Sequence, residues 1–523
     1  MGSRFGPQSA SIRIALGFLL ISGIVSTGCV NDTGEPLPGG LMSFPIAIEL
    51  SSDVDAEGEP PRYLYVTSSN FALQYNSGNV QSYDLDKLVE GIFTGCIGAG
   101  VADACLDPDY EGNVNDPQCV CDLATDADCV SVPPDRCSVI PAGLRFRDQG
   151  AALRLVPVEG LIPGEVQIGS FSDGLALAPN GRRLYVPVRS DADLTFIEVN
   201  EEGQLSCGGA FGERHTCTAP YRSGSAEQVN PEDPLVLPND PVDLHVGSLA
   251  ADFAPPGAED DPAFSGEYVL MAHREGHVSL FFDQEILGGP APEKRPRLVA
   301  TLSDLAPEQV TISYQPDAKR AWIPSALTTE IVRVGIAIDG DPTQAFLFDS
   351  GTLFVTGLDT GASNRDIRFD PRPGRELAYI VSRAPEALVV ARTEAPGLEL
   401  SMVGQVPTCR DPSRIQVAEV PARGESVLLA FVSCFLARRV QIIDTDQLQG
   451  VTVLTNISGA FEFAIDGPRR LLYTADFSTS VLRVADLQPL IDCLEGGSSA
   501  PEECSPRLLG LVGLPQPVSE LPR

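Results

Sequence analysis

Tryptophan occurs once in the 523 residues, at Trp322, and histidine and methionine four times each. Four histidines are too few for a multi-histidine copper centre. Lysine is rarer still: Lys87, Lys294 and Lys319 stand beside 33 arginines. Together the 36 basic residues face 71 acidic ones, for a net charge of −35. A surface of that sign repels phosphate backbones, which excludes nucleic acid as a partner. No apolar run reaches the ~20 residues that a membrane-spanning helix requires. No G-x-S-x-G, Walker loop or dinucleotide fingerprint falls in a strand–turn–helix setting, which argues against most nucleotide-dependent enzymes. What the chain does have is apolar material: 43% hydrophobic against 20% charged residues, enough for a large core and too much for disorder.

The N-terminus reads as an address. Arg4 and Arg13 lead into a short apolar run from Ile14 to Val25, followed by Ser26-Thr27-Gly28-Cys29. A basic segment, a short apolar segment and small residues before a break describe a secretory signal over residues 1–28. Gly28-Cys29 resembles the lipobox of bacterial lipoproteins, although Ser26 stands where the usual aliphatic residue would. That resemblance implies acylation (palmitate) of Cys29, and a membrane partner through the lipid. With no Asp after the cysteine, it also implies the outer membrane, in the cell envelope. Residues 29–43 are polar and rich in Gly and Pro, the composition of a tether.

Thirteen cysteines support an oxidising compartment; without Cys29 an even twelve remain. Cys96, Cys105, Cys119, Cys121, Cys129 and Cys137 cluster in an insert at residues 91–140. The other six fall as neighbours, Cys207 with Cys217, Cys409 with Cys434 and Cys493 with Cys504, so pairing by proximity is the natural expectation. Zinc is disfavoured, because the cluster contains no His and its spacings are irregular.

From residue 44 onward a unit recurs: an apolar strand, a tight turn, a second strand centred on a bulky residue, a polar turn and a third apolar strand. Its clearest copy runs Gly174 to Val186 and leads to Leu194–Val199. Other copies centre on Tyr65, Val269, Trp322, Tyr379, Leu429 and Tyr473, with third strands near Val80, Val278, Ile331, Leu388, Val440 and Val481. A fourth apolar run then follows, at Leu153–Val158 in the first copy. Four strands at a period near fifty residues is the pattern of propeller blades. Seven copies predict an all-β fold: a seven-bladed β-propeller of four-stranded antiparallel blades over residues 44–523, with the Cys-rich insert inside its first blade. A single sheet has two apolar faces and cannot bury either alone, whereas radial stacking buries both.

Ala178-Pro179-Asn180-Gly181-Arg182-Arg183-Leu184-Tyr185-Val186 resembles the YVTN-type propeller repeat of bacterial and archaeal surface proteins. Leu64-Tyr65-Val66-Thr67 and Leu471-Leu472-Tyr473-Thr474 are weaker copies. The resemblance implies the fold and an exported location; its relatives include lactonase-like enzymes and pure scaffolds, so it does not imply an activity. The single Trp sets the chain apart from WD-repeat and quinoprotein propellers, whose repeats each use Trp.

Aligned inner strands place Asp243, Asp366, Arg414 and Glu462 at equivalent positions near one end of the central channel. His245 and Arg368 follow two residues on, on the same side by strand alternation. These six form the candidate ligand site. They fit a polar ligand, a cation or acid–base chemistry by mutually perturbed carboxylates, and they equally fit the ordinary polar lining of a water-filled channel. His273 and His277 have the spacing of a helical zinc pair but fall on a strand–turn–strand, and so read as a polar turn. Asp107, Asp109, Glu111 and Asn115, with Gly112, partly match a calcium loop; Gln118 stands where the bidentate Glu belongs. Ca2+ is therefore the one cofactor expectation, against a disulfide-tied acidic loop.

The primary expectation is a binding or interaction scaffold at the cell envelope, with an envelope protein or glycan as partner and no enzymatic activity. The alternative is a lactonase-like or other hydrolytic enzyme using the channel mouth. An enzyme requires a defined pocket with clustered, perturbed carboxylates, whereas a scaffold requires a shallow channel with exposed apolar or aromatic loops.

Overall fold

The computed structural model describes residues 35–51, 60–89, 160–224, 235–284, 295–338, 345–355, 363–394, 399–422, 424–455, 457, 459–496 and 503–513. Cys29, residues 91–140 with their six cysteines, and the candidate calcium residues Asp107, Asp109, Glu111 and Asn115 lie outside the described residues.

The described strands pair as successive antiparallel meanders. The first comprises Pro45–Leu50, Tyr63–Ser68, Gly78–Asp84 and Gly164–Ile168. The second runs Ala176–Leu177, Arg183–Val188 and Asp193–Val199, with its outer place shared by Leu205–Ser206 and Arg222–Ser223. The third is Pro241–Ser248, Glu267–His273, His277–Asp283 and Arg297–Leu302. The fourth (Ser313–Gln315, Arg320–Pro324, Glu330–Ala337, Phe346–Val355) and the fifth (Asn364–Phe369, Leu377–Arg383, Glu386–Arg392, Glu399–Pro407) join at their outer strands by a two-residue parallel pairing. The sixth is Pro412–Ala422, Glu425–Cys434, Arg439–Asp444 and Gln449–Leu454, and the seventh Ala460–Asp466, Leu471–Asp476, Val481–Asp486 and Arg507–Val512.

Strand alternation explains how these sheets stack. In Leu471–Asp476, Leu471, Tyr473 and Ala475 pack against the first meander while Leu472 packs against the sixth. In Glu267–His273, Val269 and Met271 face the second meander, and Tyr268, Leu270 and Ala272 the fourth. Each apolar cluster is thus shared by two neighbouring sheets, and the cluster of Ile48, Leu64 and Val66 with Leu471, Tyr473 and Val484 joins the last sheet to the first. The circle closes, and the chain is an all-β propeller. Buried large side chains contribute about 1.5–3 kcal/mol each in such clusters. The central tyrosines also keep their hydroxyls satisfied: Tyr185 donates to Asp283, Tyr379 to Asp370 at 2.8 Å and Tyr473 to Asp466 at 3.5 Å.

The recurring second and third strands lie where the sequence pattern puts them. The outer strand of the first meander does not. It is Gly164–Ile168, with Val80 opposite Val166; Leu153–Val158 lies outside the described residues. The long insertion after the third strand contains two apolar runs, and only the register of strands selects between them. His215–Thr216 adds a parallel strand to the same edge, carried there by the loop that Cys207–Cys217 closes. Cys409–Cys434 and Cys493–Cys504 are also bonded, so all three neighbour pairings within the described residues form.

One end of the propeller is built by the same local device in every meander. A residue at or just past the end of the second strand donates its N–H to the carbonyl of a residue ahead of the first. In chain order the donors are Ser69, Arg189, Arg274, Ala326, Arg383, Phe435 and Phe477, and the acceptors Phe44, Phe171, Asp240, Glu308, Ser363, Asp411 and Gly459. Register then shifts just inside this end, at Pro45/Ala47, Pro241/Asp243, Asn364/Asp366, Pro412/Arg414 and Ala460/Glu462. A bulge of this kind adds twist and re-aims the side chains that follow it.

Candidate functional site

The residues just past these bulges surround a cavity of about 390 Å3 on the propeller axis. Asp243, His245, Arg368, Arg414 and Glu462 line it, together with Glu49, Gln416, Ser313 and Tyr314. Its size falls within the ~300–1,000 Å3 of small-molecule pockets. Gly174 occupies the position in the second meander equivalent to Asp243, and a Cβ there would stand 2.9 Å from the Asp243 carboxylate. Glycine at this place leaves the cavity open.

Five of the six predicted residues meet in the cavity. Asp366 does not line it. Its fully buried carboxylate accepts from the Ile415 N–H at 3.0 Å and from Arg368 Nη1 at 2.9 Å. It therefore ties the fifth inner strand to the sixth and sets the direction of Arg368. Asp243 makes the corresponding bond to the Ile312 N–H at 3.0 Å but keeps a face on the cavity. Arg368 further donates to Ser313 Oγ at 3.1 Å and to Gln416 Oε1 at 3.4 Å; Gln416 Nε2 donates to Glu462 at 3.2 Å, and Arg414 stands 3.6 Å from the same carboxylate. One chain of polar contacts thus crosses four inner strands, from Ser313 to Glu462.

Burial governs the ionisation of this set. Glu49 is pushed up to about 8, by burial first and then by repulsion from Glu462, against a weaker pull from Arg368. Burial raises Glu462 to about 7 and Asp243 to about 6, each opposed by Arg414 and Arg368. His245 is lowered to about 4 by burial and by the Arg368 charge. Its ring stacks on Tyr314 at 4.8 Å and its Nε2 is buried without a hydrogen-bond partner. Near neutral pH the cavity therefore holds a protonated Glu49, a Glu462 poised between its forms and a neutral imidazole. That is the set required for proton transfer to and from a bound molecule.

Glu49 is the cavity-lining acid that the sequence pattern misses. The ring position of the first meander is the apolar Ala47, and the acidic side chain comes two residues later, where His245 and Arg368 stand in their own sheets. Among the described residues no group of three or more His, Cys, Asp or Glu side chains is arranged to hold a metal ion. His273 sits opposite His277 across the turn, its two nitrogens engaged with Asn239 O at 3.1 Å and Ser279 Oγ at 2.9 Å, as a polar turn requires.

No family model matches the sequence, and no curated protein matches it. Among solved structures the chain is similar to a candidate 6-phosphogluconolactonase from Bacteroides uniformis, at 12% identity over 77% of this chain and 82% of that one, with a TM-score of 0.40. It is similar to the periplasmic gluconolactonase of Pseudomonas aeruginosa at 12% identity, covering 90% and 87%, with a TM-score of 0.39. It is equally similar to the hydrazine synthase of Kuenenia stuttgartiensis, at 14% identity over 65% and 86%, with a TM-score of 0.40. Likenesses this distant, to proteins of unrelated activities, carry no argument about chemistry; the fold rests on the strand pairing described above.

Proposed function

We propose that this protein is an exported, lipid-anchored seven-bladed propeller of the envelope that binds a small polar molecule in its central cavity. The observation that carries this reading is the cavity itself, with Glu49, Glu462, His245 and Arg368 converging on one space of ligand size. A protonated carboxyl, a neutral imidazole and a held guanidinium can together recognise a ligand rich in hydroxyl or carbonyl oxygens. The lipid on Cys29 and the envelope location rest on the N-terminal pattern. An envelope protein or glycan engaged by the loops remains part of the same proposal.

A second reading is favoured by one specific feature, the carboxyl pair with separated pKa values. Glu49 as acid and Glu462 as base would serve hydrolysis of an activated ester such as a lactone, water being the nucleophile and a hydroxy acid the product. The experiment is to titrate the purified chain with aldonolactones and the matching aldonates, following heat for binding and proton release for turnover. Binding of both without turnover supports a receptor; turnover lost in Glu462→Gln with binding retained supports the hydrolase. No heat from either class would remove sugar acids and their lactones as the ligand class.

A further inference from the structure

The mouth above the cavity is divided into two unlike halves. Phe44, Phe71, Phe171, Phe435, Phe461 and Phe477, from the first, second, sixth and seventh meanders, form one continuous aromatic cluster with ring centres 5.0–6.4 Å apart. It is not a sealed core: Phe71 is 48% exposed, and the neighbouring turn residues Leu73 and Leu436 are exposed at 47% and 58%.

The other half is cationic where it meets the fifth meander. Arg365 is the bulged residue between Asn364 and Asp366. Its Nε is buried without a hydrogen-bond partner, and among the described residues no carboxylate is bonded to it. Burial first, and then repulsion from Arg383, Arg414 and Arg274 against a pull from Asp411, push it down to about 10. Those three arginines have acids of their own: Asp411 for Arg383 at 2.5 Å, Glu462 for Arg414 at 3.6 Å, and Asp240 and Glu308 for Arg274 at 3.9 and 3.7 Å. Of these four arginines, Arg365 is the one with no carboxylate bonded to it among the described residues. Arg414 joins the two halves, its guanidinium 4.8 Å above the Phe461 ring.

We propose that the mouth binds an amphiphilic anion, its single negative group on Arg365 and its planar apolar body against Phe71, Phe461 and Phe477. A partly desolvated guanidinium with no carboxylate among the described residues calls for an anionic acceptor, and the aromatic cluster joined to this half through Arg414 and open to solvent at Phe71 calls for a flat apolar surface. This rests on the reading of the cavity as a ligand site, to which the mouth is the entrance, and it names the chemistry admitted there.

The test is calorimetric titration of the full chain with naphthoate, naphthylmethanol and acetate as probes. Naphthoate should bind saturably at one site, with the neutral alcohol and the anion lacking a ring each weaker by roughly tenfold or more. Arg365→Gln should weaken naphthoate by about that factor and leave naphthylmethanol unchanged; Phe71→Ala, at a half-exposed ring the fold can spare, should weaken both. Equal affinity for naphthoate and naphthylmethanol, or an Arg365→Gln variant that binds naphthoate like the native chain, would overturn the proposal. Naphthoate binding in a chain that ignores aldonolactones and aldonates supports the mouth site and counts against the sugar-acid cavity alone. Sugar-acid binding without naphthoate binding overturns the mouth site and leaves the cavity reading standing.

Discussion

Glu49 and Glu462 carry the most specific consequence at the scale of single residues. Both hold their protons more tightly in the folded chain than in the unfolded one, where a glutamate titrates near 4.5. The stability they contribute is therefore complete below the unfolded value and is lost as pH rises through about 7 for Glu462 and about 8 for Glu49. Glu49→Gln should accordingly gain on the native chain by up to ~1.4 kcal/mol for each pH unit between those limits, and by nothing further above or below them. Urea unfolding of both chains at about pH 5 and about pH 9 measures this; a difference independent of pH would mean that Glu49 titrates normally. Asp366 makes the opposite kind of prediction. Its carboxylate bonds a backbone N–H and a guanidinium, so Asp366→Ala should destabilise by roughly 1–3 kcal/mol or more, and Asp366→Asn by less, because the amide still offers an acceptor. If Asp366→Ala instead matched the native chain in denaturant, the tie between the fifth and sixth inner strands would carry no weight.

The structural element that sequence makes plainest is the second strand of each meander. Its residues touch a neighbouring sheet on both faces, so they recur as bulky apolar runs whatever the loops do. Tyr65, Tyr185, Tyr379 and Tyr473 are all buried there. Truncating one leaves a large void between two sheets: Tyr473→Ala should cost about 3–5 kcal/mol, read as a lowered urea midpoint with an unchanged slope. A slope that fell instead would mean that the sheets unfold piecemeal. Outer strands are less legible, because they have one neighbour and lie beyond long insertions. This is why the first meander closes with Gly164–Ile168 and not with the earlier apolar run. The inner strands show both sides of the matter. Their alignment finds Asp243, His245, Arg368, Arg414 and Glu462 but overlooks Glu49, whose sheet carries Ala47 at the ring position. It also takes Asp366 for a lining residue, because periodicity alone does not reveal that a carboxylate turns aside to bond the next strand. The rim is hardest to read. Phe44, Phe171 and Phe461 precede or enter inner strands while Phe71, Phe435 and Phe477 sit in turns, and only the closed ring brings them together.

At the scale of the whole molecule, a defined polar cavity with raised carboxyls meets the requirement set for an enzyme, and the exposed Phe71, Leu73 and Leu436 at the rim meet the part of a scaffold's requirement that concerns its loops, though not the shallow channel. The two are compatible if the rim is the approach to the cavity. Among the described residues no helix is long and apolar enough to cross a membrane; the attachment proposed through Cys29 rests on the N-terminal sequence pattern alone. The central claim is that the cavity is occupied in the cell. It is tested most directly by native mass spectrometry of the full chain purified from its native host, beside an Arg368→Gln, Glu462→Gln double variant prepared in the same way. The account predicts a small-molecule adduct on the native chain that is lost on denaturation and missing from the double variant. A native chain that carries no such adduct, indistinguishable from the variant once the substitutions are allowed for, would contradict it.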